Sequence, residues 1–293
     1  MKNTTFLIDK VLQASHYSEV FSRFQFKKQY LDYLKQLHPD ICSHPQATEA
    51  VSKINFFKGQ IDALSKLQDD AGTMSTISEY EIAWQGNLSL LKKSYENYQK
   101  LNSFHDKASL HFKKYLPQEL FWQGDALHLR HTERLVPLSG LKLAEKHTTW
   151  VCSRLLEFSA WLTQIGFCHA GLNLESVAIV PETHGIVVLS FYHLCPLSQK
   201  LSTISKKYQN WYPYTVFSDK KAAPEIDLSL SQRIGIYLLG DPSGNGVKLK
   251  KTHTPELIDF LLTQHYKPYE TFDTYRKLLF QLYGKPTFHP LDL

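Results

Sequence analysis

The N-terminal quarter of the chain reads as helices set by apolar spacing. Tyr30, Leu31, Leu34 and Leu37 recur at helical intervals, and Pro39 disfavours a helical conformation at the residue before it, so the spacing predicts a helix that stops at His38. A short loop, residues 41–45, follows. Residues 47–67 then place Val51, Ile54, Phe57, Ile61, Leu64 and Leu67 on one stripe of a second long helix. Two antiparallel helices result, with the tripeptide His38-Pro39-Asp40 exposed between them. Upstream, Leu7, Val11 and Leu12 mark a shorter helix, and residues 15–23 read as a loose segment. Residues 68–79, QDDAGTMSTISE, are polar and small, which is the texture of a linker.

From residue 80 the pattern changes. YEIAWQGNLSLL predicts a hairpin turning at Gln85-Gly86-Asn87, and ELFWQGDALHLRH predicts another turning at Gly124-Asp125. Between them, Phe104, Ala108, Leu110, Phe112 and Tyr115 are partly in helical phase over residues 102–116. Residues 145–165 carry Trp150, Val151, Leu155, Leu156, Phe158, Trp161 and Leu162, the pattern of a long helix at the centre of a second core. A loop opening with His169, a strand over 177–180, a turn over 183–185 and a strand over 186–189 follow. Residues 254–264 and 268–283 are amphipathic helical patterns that complete a helical lobe, and residues 284–293, with Pro286 and Pro290, read as an extended tail.

Length and composition narrow the class. A chain of 293 residues, 43% hydrophobic, is long enough for two domains with ordinary cores. No apolar run approaches the roughly 18 residues that a membrane helix needs, and the start of the chain has no long apolar stretch to act as a secretory signal. The expectation is a protein that stays in the cytoplasm. The four cysteines, Cys42, Cys152, Cys168 and Cys195, have no paired spacing, which points to free thiols and away from a metal site. The net charge of +5 is dispersed and gives no reason to expect nucleic acid as a partner. No GxSxG, HExxH or P-loop is present, and residues 240–246, GDPSGNG, lack the ending of a phosphate loop and read as a turn. Cys168 and His169 are adjacent, but neighbouring loop side chains diverge and no orienting acid is identifiable.

Residues 4–68 resemble a J-domain, the module that stimulates Hsp70 chaperones: a basic second helix, an HPD loop and a third helix carrying a KIN-type segment, here Lys53-Ile54-Asn55. The resemblance implies that His38, Pro39 and Asp40 act on a DnaK-type Hsp70, with Lys27, Lys28 and Lys35 steering it electrostatically; Lys28 and Lys35 are two turns apart and line up. The glycine-phenylalanine region and paired CxxC zinc motifs of the large general J-proteins are missing.

Residues 80–284 resemble a protein-kinase-like fold. The helix, His169 loop, strand, turn and strand follow the catalytic-loop to magnesium-loop order, and Ala223-Pro224-Glu225 matches the motif that closes an activation segment. On that alignment Gly171 stands at the catalytic base, Asn173 at the lysine, Ser176 at the metal-binding asparagine and Ser190 at the magnesium-binding aspartate. Gly235 stands where kinases carry an aspartate in the following buried helix. Phosphoryl transfer needs charged oxygen ligands for its metal, and Gly171 and Ser190 supply no carboxylate. The resemblance therefore implies a catalytically silent module.

The sequence thus predicts a multi-domain chain. An all-α three-helix J-domain over residues 1–70 and a linker over 71–79 precede a degenerate α+β kinase-like domain over 80–293, with a reduced N-lobe and a helical C-lobe. The implied activity is co-chaperone work, not enzymatic and without a cofactor: the first module recruits an Hsp70 and the second holds a protein client or complex. The alternatives are an interaction scaffold whose J-like module no longer engages Hsp70, and an active kinase-like phosphotransferase.

Overall fold

The computed structural model describes residues 2–14, 16–22, 25–64 and 66–291. Over these the chain is a mixed α and β protein, and it divides into two compact bodies, one of the residues up to Leu67 with Gly140–Lys142 and one of Gln68–Ser139 with Leu143–Leu291.

The first body is helical. Helix α1 is Lys2–Gln13, α2 is Phe26–Leu37 and α3 is Ala47–Leu64. Ile8, Val11, Leu37, Ala50, Ile54 and Phe57 are almost fully withdrawn from solvent and form its core. The stretch expected to be loose contributes to that core: Tyr17 opens a 3-10 turn, and Val20 and Phe21 are buried beside it, because a three-helix unit this small needs every large apolar side chain it can enclose. Ser15 and Arg23, the ends of that stretch, lie outside the described residues, as does the side chain of Leu64. Leu31, counted on the buried stripe of α2, is instead 48% exposed; one residue from Tyr30 is a rotation of about 100° on a helix, so the two cannot share a face.

Helix α3 ends before Leu67. That residue belongs to strand β1, Lys66–Asp69, which continues through a turn into β2, Gly72–Ser78. Residues 71–79 are therefore not a linker. Their Thr, Ser and Ile content suits a half-buried strand as well as a loop, and the buried Met74 anchors it. Strand β3, Glu81–Gly86, pairs back onto β2 with Met74 opposite Trp84. At the far end Gly72 meets Gly86; a Cβ on Gly72 would come within 2.3 Å of the Gln85 carbonyl oxygen, so the close approach admits only glycine. The hairpin expected at residues 85–87 does not form. Asn87 instead caps a helix, α4 (Leu88–Asn102), its side chain accepting from the N–H groups of Ser89 and Leu90.

Helix α4 ends at Asn102, so the helix expected over 102–116 is shorter: α5, Lys107–Phe112, followed by a 3-10 turn. The second hairpin forms as expected, β4 (Glu119–Gln123) against β5 (Ala126–Arg130), turning at Gly124-Asp125. The result is a five-stranded sheet in the order β1-β2-β3-β5-β4. Ile82 and Trp84 of β3 face Leu129 and Leu127 of β5 on its buried side.

A short strand β6, Val136–Pro137, leads to the long helix α6, Glu145–Gln164. Strand β7 (Phe167–Cys168) follows, then β8 (Val177–Val180) and β9 (Gly185–Val188), which pair as the sequence pattern predicted, with β6 on the other edge of β8. Strand β10, Cys195–Pro196, returns to β7. After a largely irregular stretch, residues 197–214, come the helices α7 (Thr215–Asp219), α8 (Pro224–Leu238), α9 (Pro255–Leu262) and α10 (Pro268–Tyr283). Residues 240–246 are the turn expected of them, with Asp241 accepting from the N–H groups of Ser243 and Gly246. The tail lies on the protein surface: Phe288 stacks on the His184 ring at 4.2 Å, and the ring bonds the His289 carbonyl at 2.7 Å; residues 292 and 293 lie outside the described residues. No helix among the described residues is long and apolar enough to cross a membrane.

The first body carries its own core, and β1 begins the sheet of the second. A fragment of residues 1–65 is accordingly expected to fold as a helical protein with a cooperative thermal transition. Far-ultraviolet circular dichroism checks this, and a fragment without helix while the full chain melts cooperatively would contradict it.

Candidate functional site

Two clusters are candidates, one in each body. In the first, α2 is held by Phe26, Leu37 and half-buried Tyr30, Tyr33 and Leu34. Each residue of the Lys53-Ile54-Asn55 segment fixes a different contact of α3. Lys53 donates from Nζ to the Leu12 carbonyl at the end of α1 (2.6 Å), Ile54 enters the core, and Asn55 accepts from the Tyr30 hydroxyl (2.8 Å). The ammonium stands at a helix C-terminus, where a positive charge is favoured.

This clamp presents the loop. His38 leaves the helix with φ −57° and ψ 132°, the conformation a following proline imposes, while its N–H still donates to the Leu34 carbonyl. Its own carbonyl accepts from both Ile41 and Cys42 (2.8 Å each), and its Nδ1 accepts from the Asp40 N–H at 3.3 Å. The turn is thus organised on His38. The Asp40 carboxylate lies 3.4 Å from that ring with its side chain 85% exposed, so it is free to meet a partner. Lys27, Lys28 and Lys35 are exposed as well. They lie four and three residues before Leu31 and four after it, so the exposed leucine sits among the three ammonium groups on one helix face. Leu31 and, beyond the loop, Ile41 (72% exposed) are the site residues that the sequence reading missed; the i+1 offset of Leu31 from Tyr30 was the available signal.

In the second body, the loop after α6 is held from beneath by Asp227 of α8, whose carboxylate accepts from the His169 N–H (2.7 Å) and the Ala170 N–H (2.8 Å). Burial pushes its carboxyl up to about 6, with the two N–H bonds opposing that rise. The α8 residue that supports this loop is thus Asp227, eight residues before Gly235. Gly235 is a packing point: a Cβ there would lie 2.5 Å from Cys152 Sγ of α6.

The sequence-predicted residues do gather here. His169 bonds the Ser190 carbonyl through Nε2 (2.8 Å), and burial lowers its ring to about 3, so it is neutral and structural at ordinary pH. Asn173 accepts from the N–H groups of Glu175 (3.0 Å) and Ser176 (2.8 Å), and its own N–H donates to Ser176 Oγ, which closes a tight turn. Gly171 lies under the His193 ring, where a Cβ would come within 2.2 Å of Cδ2. The space beside Gly171 is thus filled by an imidazole, lowered to about 4 by burial.

Three further carboxylates stand near. Glu175, fully buried, accepts from Lys207 Nζ (2.7 Å), the Tyr208 hydroxyl (2.7 Å) and the Ser139 hydroxyl (3.2 Å). Asp69, in the β1–β2 turn, accepts from the Tyr192 hydroxyl at 2.7 Å and from the N–H groups of Ala71 and Gly72. Asp70 accepts from the Lys206 N–H at 2.9 Å. The segment after β9 is tied to α4 as well, with Phe191 N–H donating to Ser94 Oγ and Asn97 donating to the Phe191 carbonyl. Every carboxylate here is engaged by the chain itself, and among the described residues no group of three His, Cys, Asp or Glu side chains is arranged to hold a metal ion. Asp69, Glu175, Tyr192, His193 and Asp227 were not singled out from sequence; Asp227 lies beside Glu225 in the first turn of α8, so no local signal set it apart.

No family model matches this chain, and no curated protein matches it either.

Two predictions follow from this geometry. Burial raises the Asp69 carboxyl from its ordinary 3.8 to about 6. The folded state then holds more protons than the unfolded state between those values, so this group's contribution to stability is largest below pH 4 and falls as pH rises through 6, by on the order of 2 to 3 kcal/mol. Urea titrations at pH 4.5 and 7 should show Asp69→Asn lacking that decline relative to the unaltered chain. Gly171→Ala should cost about 1–3 kcal/mol by overpacking against His193. The cost should shrink in a His193→Ala background, and a double-mutant cycle with no coupling would show that the contact is not what constrains the glycine.

Proposed function

We propose that this chain is a J-domain co-chaperone that recruits an Hsp70 of the DnaK type and stimulates its ATPase, while a catalytically silent kinase-like body holds a protein client or complex. The observation that carries the reading is the exposed His38-Pro39-Asp40 turn at the end of the basic helix α2, organised on His38 and leaving the Asp40 carboxylate outward. In this reading Lys27, Lys28 and Lys35 steer α2 onto an acidic face of the chaperone, Leu31 buries apolar surface among them, and the turn biases the partner toward ATP hydrolysis and tight capture of client.

The kinase-like assignment of the second body draws support from a five-stranded antiparallel sheet with α4 inserted between β3 and β4, a helical remainder, and Asp227 under the His169 loop. The small lobe in this reading is complete, not reduced. Its chemistry argues for binding alone. Gly171 and Ser190 offer no base and no metal ligand, strand β3 (EIAWQG) carries no lysine for the phosphates, and Tyr192 reaches from the end of the β8–β9 segment to Asp69 in the turn that would have to cover a nucleotide.

The test is Asp40→Asn, which keeps the size of the side chain and removes its charge. It should abolish stimulation of a cognate Hsp70 ATPase while shifting stability by no more than about 0.5 kcal/mol, as exposed substitutions do. Lys35→Ala should weaken stimulation in a manner that vanishes at high salt, because a peripheral charge acts through steering. An Asp40→Asn protein as stimulatory as the unaltered one would make the tripeptide incidental. An unaltered protein without effect on any Hsp70 of its host would favour the scaffold reading.

A further inference from the structure

Two of the four cysteines face each other across a strand pair. In the antiparallel β7–β10 ladder Cys168 is the direct partner of Cys195, and Phe167 that of Pro196. One step further along, Leu197 N–H donates to the Gly166 carbonyl at 2.9 Å, which makes 197/166 a hydrogen-bonded pair. Pair types alternate, so 195/168 is of the same type, with Cα atoms about 5.5 Å apart and side chains on one face. That separation is the commonest one for disulfide-linked cysteines, about 5.5–6 Å.

A second observation concerns the direction of the thiols. Cys168 Sγ donates to the Ala223 carbonyl (3.3 Å) and Cys195 Sγ to the Lys200 carbonyl (3.6 Å). Those acceptors belong to one ladder, closed by Ala222 N–H donating to the Gln199 carbonyl and by a bridge between Lys200 and Lys221. Cys195 Sγ therefore points at the root of the excursion formed by residues 198–223, and Cys168 Sγ at the end of that excursion, beside the Asp227 carboxylate. Neither contributes to the chemistry proposed above.

We propose that Cys168 and Cys195 are a redox pair, closed to a reversible disulfide by a small-molecule disulfide of the glutathione class. Cys195, 7% exposed where Cys168 is fully buried, reacts first. Its thiolate attacks one sulfur of oxidised glutathione, forming a mixed disulfide and expelling one glutathione thiolate. The Cys168 thiolate then attacks the Cys195 sulfur of the mixed disulfide, forms the protein disulfide and expels the second glutathione. Two protein thiols are oxidised by two electrons, one external disulfide is reduced to two thiols, and the two protons pass to the departing thiolates. Burial pushes both thiols above their ordinary range, so closure is slow at neutral pH and answers to sustained oxidation. The closed form fastens the His169 loop to the root of the 198–223 excursion.

The full chain is incubated with excess oxidised glutathione at mildly alkaline pH, unfolded under alkylating conditions and digested without reduction. Mass spectrometry should find the peptides of Cys168 and Cys195 joined, two hydrogens lighter than their sum and separated by dithiothreitol. Labelling of both cysteines should be lost together. Cys42→Ser should leave the link intact and Cys195→Ser should abolish it. Oxidation should raise the melting temperature of the unaltered chain and not of Cys195→Ser. Glutathione retained on Cys195 beside a free Cys168, a link that forms only in urea, or two unmodified cysteines after prolonged oxidation would each overturn the proposal.

Discussion

A single buried carboxylate organises the second body. Asp227 is enclosed on all sides, and an ionisable group in such a place is costly unless the chain supplies partners. Here the partners are two successive backbone N–H groups, those of His169 and Ala170, which would otherwise be orphaned where the chain leaves β7. Two successive N–H groups can converge on one carboxylate only if the backbone bends sharply, and Ala170 takes a positive φ of 58° to allow it. The bend turns the Ala170 carbonyl toward the Tyr212 hydroxyl, which in turn accepts from the Ser205 N–H. One aspartate thereby sets the path of the loop after α6 and, through Tyr212, of the excursion that precedes α8.

The polar groups of this region close inward. His169 is consumed by the Ser190 carbonyl, Glu175 by Lys207 and Tyr208, Asp69 by Tyr192, and the space beside Gly171 by His193. Much of the hydrogen-bonding capacity of the region is thus spent on internal structure, while His169 Nδ1, Asn173 Nδ2 and His193 Nε2 are buried without a partner. The first body does the opposite. Its core is complete without Asp40, and α2 with the turn that follows it leaves a carboxylate, three ammonium groups and a leucine outward.

Long elements with a strong period were legible in sequence. Helices α2, α6 and α10 and the strands β8 and β9 stand where the apolar pattern put them, because each buries a face that the period alone defines. The failures share a different cause. Residues 71–79 are polar and small, yet most of them form strand β2, since a sheet partner supplied by β3 decides the conformation of a segment with little preference of its own. Asn87 was read as a turn residue and acts as a helix cap, two roles that the same side-chain oxygen serves. The candidate sites divide along the same line. The His38-Pro39-Asp40 turn is written in adjacent residues and was visible, whereas Asp227 meets His169 from 58 positions away and only folding brings them together.

Gly235, which the resemblance to kinases sets at the place of an aspartate, has a packing role of its own. Gly235 is there because α8 and α6 approach closely: the Cys152 sulfur and the side chain of Leu261 fill the volume in which any Cβ would stand. The same helix delivers Asp227 two turns earlier, on the side that faces β7. A glycine where two helices touch and an aspartate under a loop are thus two consequences of one helix orientation. Moving the carboxylate to position 235 would place it against sulfur and leucine, while the His169 and Ala170 donors would lose their partner.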